Sequence, residues 1–120
     1  MEERFSGSLL YRVVSEQLKF KTTYYEREIT LTGGVDKILK LNPRRLSFLV
    51  VNRTSGLVDV GFRPDLPDGA GIILGGNGGA LHCIWTEDGE LVGSDVYARG
   101  NAGGKLYILE VVGFEKGGKE

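Results

Sequence analysis

From Asp36 to Val112 the chain repeats one pattern: a short β-prone run, then a cluster of turn formers. The runs are Asp36–Leu41, Arg45–Val51, Leu57–Phe62, Gly71–Leu74, Ala80–Trp85, Ser94–Arg99 and Lys105–Val112. Between them lie Asn42-Pro43, Asn52–Gly56, Asp65–Gly71, Gly75–Gly79, Asp88-Gly89 and Gly100–Gly104. Proline fixes φ and removes a ladder donor, while glycine takes positive φ without steric cost, so these clusters end strands and start turns. Turn signals at roughly 8–12-residue spacing, with no sustained 3.6-residue period, define an all-β domain. The architecture expected is an antiparallel β-sandwich, jelly-roll-like, or a barrel.

The centre of that domain is Asn42–Pro64. Arg45–Val51 is dense in β-branched and aromatic residues, as a strand buried on both faces would be. Leu57–Phe62 alternates, with Val58, Val60 and Phe62 on one face and Asp59 and Gly61 on the other. The Asn52–Gly56 turn between them predicts a central hairpin. Alternation places Leu46, Phe48, Val50, Val58, Val60, Phe62, Leu106, Ile108 and Val112 in the core.

Residues 1–34 have a different character, with no proline and few glycines before Gly33-Gly34. Leu9–Val14 fits a strand or one turn of helix equally well. Leu18–Thr22 and Glu28–Thr32 alternate as strands do, and Thr22–Tyr25 between them is strongly β-prone. The segment reads as an extended arm or the edge strands of a sheet. Unpaired edges invite pairing with another chain, which makes it an expected contact region of a homo-oligomer. Phe20, Tyr24, Tyr25 and Arg27 on this segment, with Arg44 and Trp85, are the candidate contact residues. The division expected is therefore an arm over 1–34, a sandwich over 35–114 and a frayed polar tail over 115–120.

Composition removes several functional classes. Fifteen basic residues against 16 acidic ones give a formal net charge of -1, without the basic excess of a nucleic-acid binder. One cysteine permits no intrachain disulfide and no four-cysteine zinc site. The first residues are acidic where a secretion signal is basic, and no apolar run approaches the ~20 residues of a membrane-spanning helix. Nineteen glycines, about twice the usual share of roughly 7 %, are spread without period, as tight turns require.

No set of residues forms a catalytic signature, and no cofactor or metal is expected. His82 and Cys83 are neighbours on a strand, so their side chains leave opposite faces and cannot form a nucleophile–base pair. Gly75–Gly79 resembles a phosphate loop only in composition, because a strand rather than a helix follows it. Asp65, Asp68, Glu87 and Asp88 lack the regular spacing of a calcium loop. Arg44-Arg45 beside a turn fits a surface ion pair better than a phosphate site. Trp85 and the Tyr24-Tyr25 pair are aromatic platforms suited to a protein interface or to stacking a sugar.

The order of signals from Val35 to Gly113 resembles the small β-sandwich virion proteins of tailed phages, the head-structural and capsid-decoration proteins. The matching features are the Asn42–Arg45 turn, the apolar strand ending in Asn52, Val58–Phe62, the Pro/Gly loop, Gly71–Leu74 with two glycines after it, Val96–Ala98 and Leu106–Glu110. The resemblance implies a non-enzymatic subunit made in the host cytoplasm and located in the virion head. It implies the major capsid protein as partner, a homotrimer at the three-fold sites of a shell, and an N-terminal segment that reaches a neighbour. The alternative function is a carbohydrate- or host-surface-binding module of a virion fibre.

Overall fold

The computed structural model describes residues 20–115. Eight strands run β1 (Phe20–Thr30), β2 (Val35–Leu39), β3 (Arg45–Asn52), β4 (Val58–Gly61), β5 (Ile72–Leu74), β6 (Ala80–Ile84), β7 (Val96–Arg99) and β8 (Lys105–Glu115). They form two four-stranded sheets, ordered β1-β8-β3-β6 and β2-β7-β4-β5. Every pairing is antiparallel. The first strand pairs with the eighth, the second with the seventh, the third with the sixth and the fourth with the fifth. That nesting is one long folded ribbon wound over itself, the jelly-roll form of the sandwich. It is a sandwich and not a closed barrel.

Apolar side chains from the two inner faces meet in one cluster that includes Leu31, Ile38, Phe48, Val50, Val58, Val60, Val96, Leu106 and Ile108. Phe48 is its largest member and is 1 % exposed. Alternation along β8 carries the pattern: Leu106, Ile108, Glu110 and Val112 are buried, and Tyr107, Leu109 and Val111 are half-buried on the outer side. β3 likewise has one buried face, not two, because an outer sheet has only one partner sheet to pack on.

Several expectations are corrected. β3 and β4 do not form a hairpin; the turn after Asn52 carries the chain from one sheet to the other. The register shifts between Arg45 and Ser47. This bulge sends Arg45 into the core and leaves Leu46 half-buried. Phe62 follows the end of β4 and is also half-buried. Asp59 and Gly61 face outward from β4 yet are buried, because the 62–71 loop folds back over them. Leu66 is the plug of that loop: a Cβ on Gly61 would lie 2.7 Å from Leu66 Cδ1. The strands expected over Leu18–Thr22 and Glu28–Thr32 are, within the described residues, parts of the single strand β1. Trp85 starts a short helix, α1 (Trp85–Asp88), followed by a 3-10 turn over Gly89–Gly93, where a hairpin turn was expected at Asp88-Gly89. Asp88 Oδ2 accepts the Ile84 N–H at 2.8 Å, which ties that helical turn to the end of β6.

Both ends of the sandwich are closed by buried polar side chains. At one end Arg45, 3 % exposed, donates from Nε to Glu110 Oε2 at 2.8 Å. Its Nη1 reaches the carbonyls of Val92 and Ser94 at 3.1 and 3.0 Å, and Nη2 reaches that of Lys40. At the other end Asn52, fully buried, directs Nδ2 at the carbonyls of Gly56, Leu74 and Gly75. Asn52 Oδ1 accepts the Thr54 N–H at 2.9 Å. Each residue satisfies carbonyls that the sheets leave unpaired, as buried backbone groups require.

Candidate interaction surface

The two sheets differ in what covers their outer faces. The outer face of the β2-β7-β4-β5 sheet lies partly under the 62–71 loop, with Gly69 N–H on Asp59 Oδ2 at 3.0 Å and Arg99 Nη1 on the Leu66 carbonyl at 3.1 Å. No described segment folds over the outer face of the β1-β8-β3-β6 sheet. Antiparallel neighbours share a face, so the register reads that surface directly. One row is Tyr24, Val111, Ser47 and Ile84; the next is Glu26, Leu109, Leu49 and His82; the third is Glu28, Tyr107, Val51 and Ala80. Leu49, Val51, Ile84, Tyr107, Leu109 and Val111 are each half-buried. The middle of the face is thus a continuous apolar band, with charge confined to its margins. Contiguous apolar surface rimmed by polar residues marks a contact site.

At the β1 margin Tyr107 Oη donates to Glu26 Oε1 at 3.3 Å. Burial in the face, then the Glu26 charge and that hydrogen bond, push the Tyr107 phenol up from its ordinary value. Glu28 meets Arg53 at 3.6 Å, and Lys105 Nζ donates to Thr30 at 2.9 Å. Among the described residues, no strand lies beside the far edge of β1. Charged Glu26, Arg27 and Glu28 lie along it, the usual way an edge is kept from random pairing.

The candidate contact residues are not gathered on this face. Tyr24 is 63 % exposed and belongs to it. Tyr25, 49 % exposed, leaves the opposite side of β1 next to Glu110, so the two tyrosines are not one platform. Arg27 also points inward, with Nη1 3.3 Å from Glu110 Oε1 and Nη2 3.0 Å from the Ile38 carbonyl. Phe20 belongs to β1, and its side chain lies outside the described residues. Arg44 is exposed, its N–H held by Asn42 Oδ1 at 2.9 Å. Arg45 beside it is a buried ion pair, not a surface one, and spends its donors inside the fold. Trp85 packs half-buried against the core and lines a cleft with Leu41, Pro43, Leu46 and Val92. Sequence reasoning missed the apolar face itself. Its signal was present: Leu49, Val51, Leu109 and Val111 are apolar at positions that alternation assigns outward.

The other constellations resolve as structure. His82 is exposed and Cys83 buried, on opposite sides of β6. Burial, and then the charge of Asp88, push the Cys83 thiol up. In the Gly75–Gly79 loop the N–H groups of Asn77, Gly78 and Gly79 are spent on the carbonyls of Thr54, Asn52 and Gly75. Asn77 takes φ 57° there, the left-handed turn that asparagine tolerates. Asp65 pairs with Arg63 at 3.4 Å. Among the described residues no three His, Cys, Asp or Glu side chains are placed to hold a metal ion.

No family model matches the chain, and no characterised protein matches it by sequence. Among solved structures it is similar to one from Bacillus endospore appendages, described as forming a novel family of disulfide-linked pili. The identity is 12 %, the TM-score 0.46, and the match covers 78 % of this chain and 88 % of that one.

Proposed function

We propose that this chain is a structural subunit that binds within a large protein assembly and acts by contact, not catalysis. The observation that carries the reading is the apolar band of the β1-β8-β3-β6 sheet, over which no described segment folds. A lone sheet face of this composition gains most by packing on another protein surface. The finer reading is a tailed-phage head protein that decorates the capsid. The order of turn and strand signals supports it, and so does an analogy of fold, since jelly rolls recur in viral shells. A subunit of this kind stabilises a shell by binding the assembled state only, and many copies add weak contacts into avidity.

The test looks for a major capsid gene beside the gene for this chain and uses empty heads assembled from its product. The chain is expected to pellet with those heads in a saturable manner, and Leu109→Asp on the apolar band to abolish pelleting. Absence of any capsid gene nearby, or failure to pellet, overturns the phage reading.

A further inference from the structure

The same face has an internal symmetry that selects its first partner. We propose that it packs against the identical face of a second copy, through a two-fold axis running along the strands. This rests on the reading of the band as a contact surface, and adds who covers it.

The argument follows from the three rows. A two-fold axis parallel to the strands, lying between two such faces, sets β1 of one copy over β6 of the other and β8 over β3. Each row then meets its own reverse. Glu26 faces His82 of the second copy, and Leu109 faces Leu49 of the second copy. Tyr24 lies over Ile84, and Tyr107 over Val51. Acid meets imidazole at both margins, and aliphatic or aromatic groups meet in between. The other face-to-face two-fold axis, perpendicular to the strands, stacks β1 on β1 and leads Glu26 onto Glu26. Like charges there oppose the pairing. Aligned sheets pack ~30° off parallel, which displaces the outer rows sideways but keeps each margin opposite the other. Of the charged groups beside the three rows, Arg53 and Glu28 pair with each other and Lys105 donates to Thr30 of its own chain.

Size sets the strength. Four strands ~4.8 Å apart over about seven residues of ~3.4 Å give roughly 450 Å² of flat area. Counted on both copies this is about 900 Å², in the range of weak interfaces below ~1,200 Å², so a dissociation constant on the order of micromolar to tens of micromolar is expected. This symmetry gives a pair and not the trimer implied by the sequence resemblance.

The experiment is sedimentation equilibrium of the full chain from about 1 to 100 µM, with thermal melts showing that each variant folds. Wild type is expected to reach dimer mass, and Leu49→Asp to remain monomeric. Glu26→Arg and His82→Glu should each weaken dimerisation by about 10-fold or more. The double variant Glu26→Arg/His82→Glu should recover wild-type affinity within about 3-fold, because it sets opposite charges facing each other across the axis. A monomer at 100 µM, or single variants that weaken pairing without recovery in the double, overturns the proposal. A monomer whose Leu109→Asp variant loses head binding overturns the pairing and leaves the assembly function standing. A dimer with the expected charge-swap recovery that never pellets with heads does the reverse.

Discussion

Glu110 is the residue whose loss most directly tests the account of this core. Its carboxylate accepts from Arg45 at 2.8 Å and from Arg27 at 3.3 Å. The Arg45 side chain is 1 % exposed, whereas that of Arg27 is 42 % exposed. Glu110→Gln keeps the shape, removes the charge and turns one oxygen into a donor facing a guanidinium. Arg45 then keeps its three carbonyl partners but has no counter-charge. Breaking a buried pair from one side costs ~3–5 kcal/mol, and the Arg27 contact adds no more than a surface pair, under ~1 kcal/mol. Glu110→Gln should therefore destabilise by about 3–4 kcal/mol and Arg27→Ala by less than about 1. For a chain of this size that difference is roughly 10–15 °C in Tm. Urea unfolding followed by Trp85 fluorescence and by circular dichroism measures both. The double variant Arg45→Met/Glu110→Leu should stay well below wild type, because the carbonyls of Lys40, Val92 and Ser94 lose their donor. A Glu110→Gln protein within ~1 kcal/mol of wild type, or no more affected than Arg27→Ala, would show that the pair does not hold this end of the sandwich.

Phe48→Ala should cost ~3–5 kcal/mol by the same unfolding curves, since the ring is almost wholly enclosed between the sheets. Asn52→Ala should cost about 2–4 kcal/mol, because three carbonyls and the Thr54 N–H lose their partner at once; hydrogen exchange should speed up across the 74–79 loop. Cys83 should resist thiol reagents in the folded protein at pH 8 and react at once in urea. Its raised pKa has a definite sign for stability: the contribution is fully present below the ordinary thiol value of ~8.5. It is lost as pH rises through that value toward the folded one, because the unfolded chain ionises first. Melting temperatures of wild type and Cys83→Ala between pH 7 and 10 should show a wild-type fall that the variant lacks.

Local chemistry made much of the fold legible. Every turn cluster marks a real chain reversal or crossing, and the inward sets of β3, β4 and β8 follow alternation from Phe48 onward. What local chemistry could not show is which sheet a strand joins. Asn52–Gly56 has the residues of a hairpin turn, yet Asn52 on β3 is held by Gly56 of the turn and by Leu74 and Gly75 at the end of β5, a strand of the other sheet. The bulge at Leu46 is equally invisible, since only the distant Glu110 and the carbonyls around Arg45 make burying an arginine favourable. Asp59 reads as an outward residue and does point outward; the loop that covers it is anchored by Leu66 and Gly69, residues that carry no such signal. The outer apolar face was hidden for a different reason. Outward apolar residues such as Leu49 and Leu109 sit beside inward ones such as Phe48, Val50 and Ile108, and a run apolar at nearly every position reads as doubly buried.

The nested pairing has a consequence for how the chain reaches this structure. β1 and β8 are joined over a separation of 83 residues at Arg27–Glu110, a closure that would be slow if attempted first. Once the β4–β5 tip has formed, β3 and β6 are already neighbours, and each further pair closes only a short additional stretch. Loop-closure entropy thus favours assembly from the tip outward, with β1 expected to be captured last. A ribosome translating this message releases β1 long before β8 exists to receive it, so the nascent chain carries that strand open for most of its synthesis. The charges along β1 are placed where such an exposed strand would otherwise aggregate.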